Sequence, residues 1–263
     1  MTPFRKVHGA GNDFILLADP HETRDWGNLA ASLCHRRMGI GGDGVVVSER
    51  ISAGTYTVTC YNSDGSVASM CGNALRCAAR CAAEDHGDTR MTLLMGSASH
   101  EAVVDGSQIG VSVTVGAVTQ RVLALRWRSQ RLEFAAVNSG TEHVVAFARS
   151  LQQSDVVGLG RHVCHHAALA PAGANVNLAQ IVDRCTLKIR TYERGVEAET
   201  LSCGSGAVAA VAVAREVRAV TNGPVTVRNE AGTPLRVGRP GDPHDSAVWL
   251  TGPAEVVYWG EMA

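Results

Sequence analysis

Two cysteines stand in matching contexts in this chain. Cys71-Gly-Asn-Ala-Leu-Arg-Cys-Ala-Ala-Arg-Cys-Ala-Ala and Cys203-Gly-Ser-Gly-Ala-Val-Ala-Ala-Val-Ala-Val-Ala each read cysteine, glycine, polar residue, then an alanine-rich run, about half the chain apart. A cysteine at the first turn of a helix has its thiolate stabilised by free amide hydrogens. The same amides, of Gly72 and Asn73 or of Gly204 and Ser205, can cradle a carboxylate. Glycine lets the backbone come close to a ligand. Two such cysteines on facing domains suit stereoinversion: one thiolate takes a proton from a carbon and the other thiol returns one to the far face. No cofactor and no metal enters that scheme. The carbon acid beside a carboxylate is weak, so both helix termini must stabilise the enolate-like charge. The other six thiols, Cys34, Cys60, Cys77, Cys81, Cys164 and Cys185, read as small hydrophobes.

Composition narrows the remaining classes. The chain has 263 residues, 24 basic and 25 acidic side chains, and a formal charge of −1. That balance offers no basic face to nucleic acid or to an anionic membrane. At 45% hydrophobic and 19% charged residues it can bury a core. Lys6 and Lys188 are the only lysines, which leaves pyridoxal phosphate chemistry two candidates for its Schiff base. The start Met1-Thr-Pro-Phe-Arg-Lys lacks the apolar stretch of a signal peptide. The longest purely apolar run, Ala207–Ala214, is far short of the roughly 20 residues needed to span a bilayer. Eight cysteines in such a chain read as reduced thiols, and the expected setting is the cytoplasm.

The elements that must hold these cysteines are short strands and a few helices. Strand-like runs are Phe4–His8, Asp13–Ala18, Gly44–Glu49, Thr55–Tyr61, Met91–Met95, His100–Val104 and Gln108–Val115 in the first half. Leu132–Val137, His143–Phe147, Asn175–Val182, Cys185–Tyr192, Val225–Arg228, Leu235–Val237, Ala247–Leu250 and Glu255–Tyr258 follow in the second. Helices are expected over Trp26–Arg37, Met70–Glu84 and Gly204–Val217. The last two are small or apolar on most faces, so each belongs inside a sheet. The expected fold is α+β, with two pseudo-symmetric domains, each a mostly antiparallel β-sheet or barrel wrapped around a central α-helix. The domains are 1–116 and 117–249, and the final strand, about 250–263, returns to the first.

The residues also carry a family resemblance. Val7-His-Gly-Ala-Gly-Asn-Asp-Phe, Gly39-Ile-Gly-Gly-Asp-Gly, Tyr61-Asn-Ser-Asp-Gly-Ser, Met70-Cys-Gly-Asn, Tyr192-Glu-Arg-Gly and Cys203-Gly-Ser-Gly-Ala resemble the diaminopimelate epimerases, in that family's order and over nearly the whole chain. The resemblance implies an epimerase that needs no pyridoxal phosphate and interconverts LL- and meso-2,6-diaminopimelate in lysine and peptidoglycan precursor synthesis, with its site in a cleft between two domains. It implies catalytic roles for Cys71 as proton donor and Cys203 as proton acceptor in the LL-to-meso direction, with His143 supporting proton transfer and Glu193 beside them. It implies substrate contacts from Asn12, Asn62, Asn175, Glu193 and Arg194, and backbone cradles at Gly72-Asn73 and Gly204-Ser205. The implied partner is a small amino-acid substrate, and the assembly left open is a homodimer.

The chain departs from the family pattern in three places. Asn138-Ser-Gly-Thr141-Glu142-His143 stands where the family often has Asn-Pro-His. Ala74-Leu75 adds bulk after the first cradle, and Gly195–Ser202 is one residue longer than the commonest form. These departures motivate a second reading, the same mechanism on another amino acid. Other classes fit less of the chain. Gly39-Ile-Gly-Gly-Asp-Gly matches a dinucleotide fingerprint but follows a helix and precedes a strand, the reverse of what that fold needs. His162-Val-Cys-His-His lacks a second ligand pair at zinc spacing. A cysteine hydrolase pairing Cys71 or Cys203 with His143 or His8, or a binding module on this scaffold, leaves the second matched cysteine without a task.

Overall fold

In the computed structural model, residues 1–20, 24–152, 154–238 and 248–262 are described, and the chain divides into two compact units, Met1–Ser112 with the segment from Thr251, and Val113–Leu250. The first unit runs β1 (Thr2–Gly9), β2 (Asn12–Ala18), α1 (Trp26–Cys34), β3 (Gly44–Ser52), β4 (Thr55–Asn62), α2 (Gly72–His86), β5 (Arg90–Met95), β6 (Ala98–Asp105) and β7 (Gln108–Val113). The second runs β8 (Thr119–Trp127), β9 (Gln130–Asn138), β10 (Glu142–Phe147), α3 (Val156–Val163), β11 (Asn175–Asp183), β12 (Thr186–Glu193), β13 (Ala198–Thr200), α4 (Gly204–Glu216), β14 (Val225–Arg228), β15 (Leu235–Gly238) and β16 (Val248–Pro253). The last strand, β17 (Glu255–Met262), pairs antiparallel along β1, from Thr2 opposite Met262 to His8 opposite Glu255.

The repeat seen in the two cysteine segments extends to strand pairing. In the first unit β1–β2 is antiparallel, β2–β3 parallel, β3–β4 antiparallel, β4–β5 parallel and β5–β6 antiparallel. In the second, β9–β10, β10–β11, β11–β12, β12–β14 and β14–β15 repeat that order of senses. A parallel pair needs a crossover. The crossovers are α1 and α2 in one unit and α3 and α4 in the other. The architecture is α+β and mostly sheet.

Helices α2 and α4 form the centres of their units. Helix α2 touches β1 to β6 and β17, and α4 touches β9 to β12 and β15. A helix with strands on most sides has no solvent face to carry long polar groups, and close packing of backbones requires small side chains. Accordingly Ala74, Cys77, Ala78, Ala79, Cys81 and Ala82 are buried on α2, and Ala207 to Val211, Val213 and Ala214 on α4. Alanine is also the strongest helix former. Gly87, in the left-handed region at φ 74°, ends α2, its amide bonding the Ala83 carbonyl.

Several elements differ from the reading of the sequence. Helix α1 stops at Cys34 rather than Arg37, because the Gly39 and Gly41 amides turn back to the carbonyls of His35 and Leu33 at 2.8 and 2.9 Å. A side chain at Gly39 would lie 2.2 Å from the Ser32 carbonyl oxygen, so only glycine allows this return. Helix α2 opens at Gly72, not Met70, and β7 ends at Val113, not Val115. Strand β8, helix α3 and strand β13 have no counterpart in the sequence reading. The first is largely exposed, the second carries Gly158 and Gly160, and the third is three residues long. Of the strand expected from Ala247, Ala247 lies outside the described residues. Among the described residues no helix is long and apolar enough to cross a membrane.

Candidate active site

Both matched cysteines are the N-caps of their helices. The Cys71 sulfur accepts from the Ala74 amide at 3.5 Å, and the Cys203 sulfur accepts from the Gly206 amide at 3.4 Å. An N-cap residue has extended backbone and turns its side chain onto the third amide of the helix. Cys71 has φ −142° and ψ 100°, and Cys203 has φ −113° and ψ 109°. The sulfur therefore sits where Ser or Asp usually sits, at the positive end of the dipole, and an amide hydrogen bond there favours thiolate. The first-turn amides of Gly72 and Asn73, and of Gly204 and Ser205, are the ones an N-terminus leaves for an anion.

Around Cys71, Asn73 and Asn12 form one network. Asn73 Nδ2 donates to Asn12 Oδ1 at 3.1 Å, and Asn12 Nδ2 donates to Asp43 Oδ2 at 2.6 Å. Asp43 also accepts from the Asp13 amide at 3.1 Å and from Arg36 at 2.7 Å. The glycine-rich Gly39–Gly44 segment thus presents Asp43 to Asn12, and Lys6 Nζ donates to the Gly41 carbonyl. Burial pushes the Asp13 carboxyl up, but hydrogen bonds from Arg36 and Lys6 outweigh it and hold the group at about 2. Interaction with Cys71, together with burial, pushes the Cys60 thiol of β4 well up. Asn62 stands apart, with Nδ2 on Ser66 Oγ at 2.9 Å inside its own turn.

Around Cys203 a line of donors converges on the sulfur. Ser205 Oγ lies 3.5 Å from Cys203 Sγ, and His143 Nε2 lies 3.0 Å from Ser205 Oγ. His143 is fully buried, and Asn177 Nδ2 is 3.0 Å from its Nδ1. The amide of Asn177 is fixed, since Nδ2 also donates to the Val144 carbonyl at 3.1 Å and Oδ1 accepts from Thr191 Oγ1 at 2.9 Å. Nδ1 of His143 is therefore the acceptor and Nε2 carries the proton, donating to Ser205. That leaves the Ser205 hydroxyl hydrogen for Cys203. Burial, reinforced by the charge of Arg194, lowers His143 to about 3 and keeps it neutral. His143 acts on the sulfur through Ser205. Ser139, fully buried, adds a hydrogen bond of 2.9 Å from its Oγ to the Ser205 carbonyl.

The remaining expected residues gather where β11 meets β12. His143 is the register partner of Asn175, and Asn175 Oδ1 accepts from the Arg194 amide at 2.8 Å. Arg194 Nη1 donates to the carbonyls of Ala172 and Gly173, so one arm of its fork holds this loop rather than a ligand. Glu193 Oε1 accepts from Thr200 Oγ1 of β13. The departures from the family pattern find their places too. Ala74 and Leu75 are fully buried and direct their bulk into the core. Both ends of the Asn138 amide are engaged in its turn, donating to Glu142 at 2.7 Å and accepting from the Gly140 amide at 2.9 Å.

The His162–His166 run contributes one grouping of ligand-type atoms. Cys164, His165 and Glu197 place theirs within 4.8 Å of one another. Both carboxylate oxygens of Glu197 are engaged, Oε1 by His165 at 3.1 Å and the Gly195 amide at 3.0 Å, Oε2 by the Tyr192 hydroxyl at 3.0 Å. They pin the turn that follows Arg194.

Sequence reasoning missed Asn177, Ser139, Thr191 and Arg76. Asn177 had a legible signal, since it alternates with Asn175 on β11 and so shares its face. Ser139 and Thr191 had none.

Comparison with known proteins finds relatives along the whole chain. The diaminopimelate epimerase family model matches residues 4–120 and 135–257. A diaminopimelate epimerase of Methanocella arvoryzae is 34% identical over 277 residues, covering 98% of this chain and 96% of that protein. One from Aquifex aeolicus is 32% identical over 274 residues, covering 99% and 97%. Among solved structures, a probable proline racemase of Agrobacterium radiobacter superposes with a TM-score of 0.74 at 14% identity, over 100% of this chain and 93% of that one, a likeness of fold. A phenazine biosynthesis protein of Bacillus anthracis gives 0.74 at 10% identity, over 100% and 99%. With the family model matched over most of its length, and relatives above 30% identity aligned end to end, the chain belongs to the diaminopimelate epimerase family.

Proposed function

We propose that this chain interconverts LL- and meso-2,6-diaminopimelate by moving protons at one α-carbon between Cys71 and Cys203. The observation that carries the reading is the pair of N-cap cysteines, each with its sulfur on the third amide of a buried helix. In the LL-to-meso direction the Cys203 thiolate takes the α-proton and the Cys71 thiol returns one to the opposite face. The next turnover in the same direction requires the two sulfurs to exchange protonation states. In each unit the first-turn amides of the helix suit a carboxylate, and the positive helix end suits the charge that develops in the planar carbanion. The relay from His143 through Ser205 holds a hydroxyl hydrogen toward Cys203 without itself titrating near neutrality. Asn12 and Asn73 in the first unit, and Asn175, Glu193 and Arg194 in the second, are the polar groups for the rest of the substrate. Asn62 is the outlying member of that set. Thiol acids and bases need reduced sulfur, which agrees with a cytoplasmic setting.

The test is proton NMR of LL-diaminopimelate in D₂O with reduced protein. Loss of the α-proton signal together with appearance of the meso isomer is expected. Folded protein with free thiols that leaves the signal unchanged would remove diaminopimelate as the substrate, and other amino acids would then be tried in the same format.

A further inference from the structure

Arg76 is the one charged side chain among the largest fully buried residues, and the two-base scheme gives it no task. It lies on α2, five residues after Cys71. Its Nη2 donates to Asn73 Oδ1 at 2.5 Å and its Nη1 to the Gly72 carbonyl at 3.3 Å, while Nε has no partner. None of these acceptors is a carboxylate. A buried cation costs several kcal/mol unless a counter-charge sits close by. Carboxylates near the start of α2's neighbour β2, and near the end of α2 itself, are already engaged. Arg5 of β1 is paired with Asp85, Lys6 of β1 with Asp13 of β2, and His100 of β6 has Nδ1 on the Ser112 carbonyl at 2.8 Å. The Arg76 guanidinium instead reaches back to Gly72 and Asn73, the two residues that follow Cys71, and the thiols of Cys77 and Cys71 favour its charged form. Cys77 is fully enclosed, and burial pushes its thiol well up, so it stays neutral. Burial lowers Arg76 itself to about 10, which leaves it charged at neutral pH.

We infer that Arg76 is a positioning residue whose fixed charge is balanced by the Cys71 thiolate, so that Cys71 rests ionised. The inference takes from the reading above only that Cys71 is an acid–base group. Arg76 also orients Asn73, and through it Asn12, so one side chain sets both the charge state of the sulfur and the amide beside it. The groups around Cys71 include Arg76 and Cys77 from its own helix and Cys60 from β4, with the Cys71 amide on the Met95 thioether of β5 at 3.3 Å. Arg76 is the charged group among them. Helix α4 has no equivalent, since the matching position is Val208. There the sulfur has neutral donors instead.

The experiment is alkylation by iodoacetamide across pH, read separately for each cysteine-containing peptide by mass spectrometry, in the intact protein and in Arg76→Gln and Arg76→Met. Glutamine keeps a donor for Asn73 and removes the charge. Both variants are expected to raise the Cys71 midpoint by at least one pH unit, a tenfold loss of its rate near neutrality, and to leave Cys203 where it was. Folded variants with an unmoved Cys71 midpoint would overturn the inference. Should neither variant fold, the intact protein still decides. A Cys71 midpoint below the ordinary thiol value of about 8.5 and below that of Cys203 supports the assignment, and one at or above either sinks it. No substrate is present, so a failure here is distinct from silence in the NMR test.

Discussion

Replacing Gly206 with alanine sets two effects of opposite sign against each other. Gly206 is the third residue of α4, and alanine there gains about 1 kcal/mol of helix propensity. Its Cβ, however, would stand 2.4 Å from Asn177 Oδ1 and 3.2 Å from both Cys203 Sγ and Thr191 Oγ1. Ordinary contact demands that the amide withdraw by roughly 1 Å. Asn177 is fully buried, and that shift breaks its bonds with His143 and Thr191, now 3.0 and 2.9 Å. Two lost hydrogen bonds cost about 1 kcal/mol each, and the orphaned Nδ1 of His143 adds about 1 more. The net is a destabilisation of about 2 kcal/mol, a fall in Tm of roughly 4–8 °C for a chain of this size. Catalysis suffers further, because displacing an aligned donor by about 1 Å costs on the order of 100-fold. Thermal unfolding by circular dichroism and α-proton exchange measured on the same preparation give both numbers. A Tm that rises by the propensity gain, with turnover intact, would show that the Asn177–His143–Ser205 line is not held as described.

Two further perturbations test the electrostatics. His143 folds with its pKa near 3, below the roughly 6.5 of the unfolded chain, so the unfolded state takes up the proton first. The stability this group contributes is whole above pH 6.5 and lost as pH falls toward 3, by at most about 1.4 kcal/mol per pH unit. Denaturation midpoints should therefore fall more steeply with acid in the native chain than in His143→Gln, and parallel curves would refute a buried neutral imidazole. Cys71→Ser and Cys203→Ser should each keep the N-cap hydrogen bond, and so the fold, while turnover falls by several orders of magnitude, because a hydroxyl is a far weaker acid near pH 7. Substantial activity in either would remove that sulfur from the proton path.

The elements that carry chemistry were legible because they obey strong local rules. Cysteine–glycine–polar before an alanine run marks a helix start, and the strands of β11 and β12 have the apolar content of a buried sheet. What was not legible depends on tertiary placement. Helix α3 contains two glycines, and Gly160 is there because the Tyr192 ring occupies the space a side chain would need, so that a Cβ would stand 2.2 Å from the ring. Arg76 lies on a helix read as enclosed by strands, but its type and spacing give no sign that its charge is buried with the alanines until the strands are placed. The role of His143 also changed. Its type suggests a group titrating near neutrality, whereas enclosure beside Arg194 makes it a fixed donor.

The two halves share a scaffold but not a solution to the same electrostatic problem. In each, an N-cap sulfur meets the third amide of a helix that strands enclose, and the dipole favours thiolate equally at both. What differs is the next layer. Behind Cys71 stands a buried guanidinium, a fixed charge that favours the thiolate at rest and still leaves the sulfur able to take up the proton it must later return. Behind Cys203 stand a hydroxyl, a neutral imidazole and an amide, which can turn a hydrogen toward thiolate or away from thiol and so tolerate either state. A racemising pair needs one sulfur ionised and the other protonated, and two identical environments would leave that choice open. The unequal second layer closes it in the resting enzyme, which then stands ready for the meso-to-LL direction and exchanges the two protonation states before the reverse. The Cys203 relay, having no charge of its own, then accepts whichever protonation state turnover leaves there.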